Sequence, residues 1–262
     1  MPDIKIVFLD IDGTILRPDD TIEESTKEAV THLQQNGIEV FLATGRPLHE
    51  ITDIGDELSI SSYIAYNGAF AIHRGVTLFN EPLPASLVDN LLHTTKENNY
   101  DIVLYTQNKN IFTSMDSNIV KEFIETFHLR KNALYDDTKK DEILGSTIIT
   151  NEEHSEKWFE HIDGIHLSSV NVDGMRTCHD VIRDEVNKGV AVKAVLASLH
   201  ISTEQAAAFG DGMNDKEMLS AVGSGFAMGN ANPDLFSYAK YKTTDVENSG
   251  VYNGLKQLGL IE

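Results

Sequence analysis

Short apolar runs with little polar alternation recur along the first 80 residues, and each is followed by a stretch whose apolar positions return every three to four residues. Residues 4–9 read as a strand buried on both faces, as a parallel sheet requires. Residues 25–36 then predict a helix with Ala29, Val30 and Leu33 inward, Lys27, Glu28, Thr31 and Gln34 toward solvent, and Gly37 as its stop. A second strand follows over residues 38–43 and ends at Thr44-Gly45-Arg46-Pro47. Pro47 suits the first turn of a helix, here one carrying Ile51, Ile54 and Leu58. Residues 63–66 read as a third strand that stops at Asn67-Gly68. This strand-helix alternation predicts an α/β protein with a Rossmann-like, doubly wound parallel sheet.

The rhythm breaks between residues 82 and 185, where polar stretches lengthen around helices at 85–97 and 118–127 and strands at 102–105 and 111–113. It resumes with a helix over 188–199, a strand over 206–209, the loop Gly210-Asp211-Gly212-Met213-Asn214-Asp215, and a helix through Met218 and Leu219. The reading is therefore a core built from residues 1–81 and 186–262, interrupted by an α/β insert at 82–185.

Composition narrows the partners. The chain has 262 residues, 41% of them hydrophobic, enough to bury a sizeable core in one or two domains. A formal charge of −20 argues against nucleic acid, which is bound through a lysine and arginine surplus. No apolar run approaches the roughly 20 residues of a membrane span, and Met1-Pro2-Asp3 leads into a strand without a signal segment, so a cytoplasmic protein is expected. The single cysteine, Cys178, allows no internal disulfide and is read as a plain small side chain in preference to a reactive thiol.

The chemistry gathers at three strand ends. Asp10 and Asp12 follow the first strand one residue apart, and ligands of such sheets collect at the carboxyl ends of strands. Two acids side by side repel, and a bound hard cation such as Mg²⁺ keeps both ionised, with a phosphate beside it. Asp10 is placed to attack phosphorus and form an aspartyl-phosphate. Asp12, two positions on, can protonate the leaving oxygen and later take a proton from water. Gly13 permits the sharp turn that follows. Asp211 is a further candidate metal ligand, with Asp215 acting behind it or through water. Thr44 offers a hydroxyl and backbone amides to a phosphoryl oxygen, and Asn214 a neutral donor. Lys188, opening a helix, supplies positive charge where amides and dipole already favour anions.

Asp10-Ile11-Asp12-Gly13-Thr14, Ala43-Thr44-Gly45-Arg46, Asn187-Lys188-Gly189 and Gly210-Asp211-Gly212-Met213-Asn214-Asp215 together resemble the four ordered motifs of the haloacid dehalogenase superfamily, in its Cof-type sugar-phosphate phosphatase branch. Asn67-Gly68-Ala69 resembles a further segment of that branch. The resemblance spans nearly the whole chain. It implies a Rossmann-like core with an inserted α/β cap that sets substrate choice, and Mg²⁺-dependent hydrolysis of small phosphorylated metabolites. By position it implies Asp10 as nucleophile and metal ligand, Asp12 as general acid/base and metal ligand through its main-chain carbonyl, Thr44, Gly45, Lys188 and Asn214 as phosphate binders, and Asp211 and Asp215 as metal-site acids.

Two alternatives share this chemistry. A phosphomutase would return the phosphoryl group to sugar, and a phospho-accepting receiver module would need only about half this length and no insert. No P-loop or complete dinucleotide fingerprint occurs. In the insert, His166, His179, Arg176 and Asn171 are read as exposed or capping side chains, not specificity groups. His154 and His161 beside Trp158 lack a third ligand for a metal. The expected state is a monomer or homodimer whose cap opens and closes over substrate.

Overall fold

A computed structural model describes residues 3–261. In chain order the first segment carries β1 (Ile6–Leu9), α1 (Glu24–Gln35), β2 (Glu39–Ala43), α2 (Leu48–Leu58), β3 (Tyr63–Ala65), β4 (Phe70–His73) and β5 (Val76–Asn80). Next come α3 (Ala85–Glu97), β6 (Asp101–Tyr105), β7 (Asn110–Phe112), α4 (Asn118–Thr126), β8 (Asn132–Leu134), β9 (Gly145–Ile149), β10 (Ile165–Ser169) and β11 (His179–Arg183). The chain finishes with α5 (Lys188–Ser198), β12 (Ala206–Gly210), α6 (Lys216–Ala221), β13 (Ser224–Ala227), β14 (Tyr241–Lys242) and α7 (Gly250–Gln257). Among the described residues no helix is long and apolar enough to cross a membrane.

The chain divides into two compact units. One comprises the residues up to 46, 52–80 and those from 187 on; the other comprises 47–51 and 81–186. The first is built on an eight-stranded sheet ordered β14-β13-β12-β1-β2-β3-β4-β5, parallel from β14 to β3 and closed by the antiparallel pair β4 and β5. β1 lies between β12 and β2, so every one of its side chains is buried. Ile6 and Phe8 join Phe41, Ala43 and the α5 residues Val192 and Val195 in one core. Val7 and Leu9 project to the other face, where α1 buries Ala29, Val30 and Leu33. Burying a side chain of the size of Phe8 or Phe41 contributes roughly 1.5–3 kcal/mol, which fixes the strand ends that carry the chemistry.

The second unit holds a six-stranded sheet ordered β10-β11-β9-β6-β7-β8, antiparallel except for β7 with β8. One face packs Ile102, Leu104 and Ile148 with Val88 and Leu91 of α3. The other packs Val103, Phe112 and Ile149 with Val120 and Phe123 of α4.

Three local readings change. β1 begins at Ile6, two residues later than the apolar run suggests. Tyr66 does not extend β3, because its φ of 54° starts a turn that Asn67 continues at 53°. His179 is buried on β11 and not exposed. His154, His161, His166 and Arg176 are exposed; His166 pairs with Asp184 at 2.8 Å and Arg176 with Asp173 at 3.1 Å. Cys178 is buried, its Sγ 3.8 Å from the Thr150 carbonyl.

Candidate active site

Parallel strands β1 and β12 run in register, Leu9 opposite Phe209, so Asp10 and Asp211 leave neighbouring strands at nearly the same level. The Asp10 amide still donates to the Phe209 carbonyl at 3.0 Å, which holds the first acid on the sheet. The chain then turns at Gly13, whose φ of 77° favours glycine, and a Cβ at that position would collide with the Asp211 carboxylate. Here glycine serves both the turn and the close approach of two loops.

Lys188 is the first residue of α5, behind Asn187, whose side chain accepts from the Val190 amide at 3.0 Å and caps the helix. The lysine is fully buried, and its Nζ donates to Asp10 Oδ1 and to Asp215 Oδ1, each at 2.6 Å. Asp215 accepts on its other oxygen from the Asp211 and Gly212 amides at 3.1 and 3.0 Å. Both oxygens of Asp215 are therefore occupied by the protein, and its carboxylate shapes the loop around Asp211. Asp10 differs: among the described residues no donor is bonded to its Oδ2.

Asp10, Asp211 and Asp215 bring one carboxylate oxygen each within 4.8 Å of one another. Three carboxylates around a single ammonium leave excess negative charge. Burial, reinforced by Asp215, pushes the Asp10 carboxyl well above the usual range. The same two causes push Asp211 up to about 7 against the bond from Thr14. Burial opposes the charge on Lys188, but the Asp10 and Asp215 carboxylates outweigh it and hold the ammonium above its ordinary range. An all-oxygen donor set with surplus negative charge fits a hard divalent cation.

The remaining sequence-predicted residues surround this group. Asp12 lies outside it: its carboxylate is exposed and held by Arg46, whose Nε donates at 2.9 Å and whose Nη2 also bonds to it. Thr44 is buried just past β2, and its Oγ1 accepts from the Arg46 amide at 3.1 Å. At Gly45 a Cβ would stand 2.9 Å from the Asn67 side chain, so glycine lets Asn67 close over the loop. Asn67 in turn accepts from exposed Asn214 at 3.2 Å.

Sequence reasoning missed four contributors. Arg46 was visible within its motif, but its pairing with Asp12 depends on β1 and β2 lying side by side. Thr14 donates to Asp211 Oδ1 at 3.2 Å. Asn230, just beyond β13, donates to the Gly13 carbonyl at 2.8 Å and lies 3.5 Å from Asp211 Oδ2. Asn67 carried a signal only as a strand-end turn and as part of Asn67-Gly68-Ala69, with no role of its own. A polar residue beside glycine at a strand end, as in Gly229-Asn230, is the one pattern that could have found Asn230.

Comparison with known proteins identifies the family. The haloacid dehalogenase-like hydrolase family matches residues 7–255. The YkrA protein of Bacillus subtilis is 32% identical over 99% of this chain and 100% of its own length. An HMP-PP phosphatase of Escherichia fergusonii is 29% identical over 88% of this chain and 86% of its own. A solved structure from Geobacillus kaustophilus superimposes with a TM-score of 0.90 at 30% identity, covering 98% of this chain and 100% of that one. A receiver module has no place in such a match, and the chain belongs to the haloacid dehalogenase-like hydrolases, in their Cof-type phosphatase branch.

Proposed function

We propose that the protein is a Mg²⁺-dependent phosphatase that hydrolyses small phosphorylated metabolites, sugar phosphates foremost, through an aspartyl-phosphate on Asp10. The observation that carries this reading is the buried Lys188 ammonium shared at 2.6 Å between Asp10 and Asp215, with Asp211 in the same group. That contact orients Asp10 through Oδ1 and leaves Oδ2 to react.

In the first displacement Asp10 Oδ2 attacks phosphorus, the bond from phosphorus to the ester oxygen breaks, and Asp12 gives that oxygen a proton. Asp12 then takes a proton from water, whose oxygen attacks phosphorus and frees Asp10 and inorganic phosphate. Arg46 orients the Asp12 carboxylate through Nε and Nη2, and one of these contacts opens when Asp12 carries the proton it gives. Lys188 offsets charge on the phosphoryl oxygens, while Thr44, Gly45 and Asn214 supply neutral donors. Asp10, Asp211 and the Asp12 main-chain carbonyl would hold Mg²⁺, with Asp215 behind them; when bound it would neutralise and orient the phosphoryl group. Residues 82–185 would set the choice of leaving group.

Turnover of 4-nitrophenyl phosphate in Mg²⁺ tests the reading. Asp10→Asn should abolish it with the circular dichroism spectrum retained, and unchanged activity would remove Asp10 from its role. Stoichiometric release of free phosphate from a sugar phosphate separates hydrolysis from a mutase reaction.

A further inference from the structure

Asp211 is held by the protein at its main chain and at both carboxylate oxygens. Its amide donates to Asp215 Oδ2 at 3.1 Å, and its carbonyl accepts from the Asn232 amide at 2.9 Å. Buried Thr14 donates to Oδ1 at 3.2 Å, and Asn230 Nδ2 approaches Oδ2 at 3.5 Å. The mechanism above uses neither Thr14 nor Asn230.

Asn230 reaches this carboxylate from a turn built to carry it. The residue lies just past β13, which runs between β12 and β14 in the sheet. Its Nδ2 donates to the Gly13 carbonyl at 2.8 Å, and its Oδ1 accepts from the Val246 amide at 2.9 Å. A main-chain carbonyl only accepts and a main-chain amide only donates, so the side-chain amide has one orientation and keeps a second N–H for Asp211. The Gly229 amide donates to the Thr244 carbonyl at 3.0 Å, and a Cβ on Gly229 would stand 2.6 Å from the Asp245 nitrogen, so glycine lets the two segments close. One side chain thus ties together the segments that follow β1, β12 and β14.

A brace for the segment after β14 would need the Val246 bond alone. The donor end of Asn230 instead meets the loop that follows Asp10 and Asp12, and the acid beside it. That acid is under strain from its neighbours: Asp10, Asp211 and Asp215 bring carboxylate oxygens within 4.8 Å of one another, and like charges at this distance push apart. Donors on both Asp211 oxygens oppose that push and leave each oxygen a further lone pair for a cation.

Resting on the phosphatase reading, we propose that Thr14 and Asn230 are positioning residues that hold the Asp211 carboxylate in place for a divalent cation before the cation arrives. Both act through Asp211, and their contribution is to metal affinity.

The experiment titrates the full-length protein, without substrate, with Mn²⁺, an oxygen-preferring stand-in for Mg²⁺ whose free ion is counted by electron paramagnetic resonance. Thr14→Val and Asn230→Leu, both close in size to the parent, should each weaken binding about tenfold or more, the usual size of a lost partner behind a ligand. Thr14→Ser keeps the hydroxyl and should restore binding. In turnover of 4-nitrophenyl phosphate the Mg²⁺ concentration giving half-maximal rate should rise by the same factor, while kcat at saturating Mg²⁺ returns to within about twofold of wild type. A role in folding alone would lower the urea midpoint and leave Mn²⁺ affinity unchanged; that result overturns the proposal, as does a loss of kcat that excess Mg²⁺ does not restore. Should Asn230→Leu fail to fold, Asn230→Ala, which admits water to the Gly13 carbonyl and the Val246 amide, carries the same comparison. If wild type turns over no ester, the phosphatase reading fails, whereas the Mn²⁺ titration still decides for or against the two braces.

Discussion

Lys188 decides the charge balance of the candidate site. Its ammonium is fully buried between two carboxylates, and breaking such a group by removing one partner leaves uncompensated buried charge. Lys188→Met should destabilise the metal-free protein by about 3–5 kcal/mol in urea unfolding and abolish ester hydrolysis. A variant as stable as the parent would show that the lysine was not compensating those acids. Asp211 gives a second test at this scale. With its carboxyl pushed up to about 7 by burial and by Asp215, it carries a proton near pH 6 when no metal is bound. A divalent cation must displace that proton, so Mg²⁺ binding near pH 6 should release about one proton, and its apparent affinity should rise with pH until about 7. Calorimetry in buffers of different ionisation enthalpy measures the release; a value of zero would place the cation away from Asp211. The same shift governs stability. The folded protein holds this proton more tightly than the unfolded chain, whose carboxyl titrates near 3.8, so its contribution is present at low pH and is lost as pH rises toward about 7. Melting of the metal-free protein should follow that slope, and Mg²⁺ should flatten it.

Among the elements, α5 matters most, because its first residue is Lys188. Asn187 caps that helix, and Asn187→Ala should cost about 1 kcal/mol in denaturant unfolding and raise KM for phosphate esters as the first turn frays. An unchanged KM would mean that the buried ammonium is held by Asp10 and Asp215 alone. Elements like α5 and the central strands were legible in the sequence for a physical reason. A strand buried on both faces, such as β1, leaves a continuous apolar run, and a loop that must turn at its end shows glycine beside acids. The antiparallel edge was not legible. β4 and β5 are short and only partly covered, so Val76-Thr77-Leu78-Phe79-Asn80 shows neither clean alternation nor a continuous apolar run. Tyr66 was misread because an aromatic beside a strand favours the extended form, whereas the Asn67-Gly68 turn begins one residue earlier in left-handed conformation. The Asp12–Arg46 pair lies 34 residues apart in sequence and exists only because β1 and β2 align Phe8 with Phe41. Such register is a tertiary property that no local pattern encodes.

The whole molecule carries 41 acidic and 21 basic residues, a formal charge of −20, yet its proposed substrate is a phosphate anion. Mean field and local site therefore pull in opposite directions. Lys188 is neutralised by its two carboxylates before any ligand arrives, and Arg46 is committed to Asp12, so neither cation offsets the surrounding field at long range. A dianionic ester approaching this surface is repelled until it lies within reach of the loop amides and the bound cation. Salt reveals the size of that penalty, because the screening length falls from about 30 Å at 0.01 M to about 8 Å at 0.15 M ionic strength. At fixed, saturating Mg²⁺, raising ionic strength across this range should lower KM for a phosphate ester several-fold, on the order of 1 kcal/mol of relieved repulsion. The kcat should hardly move, since it reports steps after the ester is seated. Parallel titrations with potassium and choline chloride separate screening from a specific cation effect: screening moves both alike. A KM that stays level or rises with salt would mean that the amides, the cation and Lys188 already isolate the site from the rest of the surface.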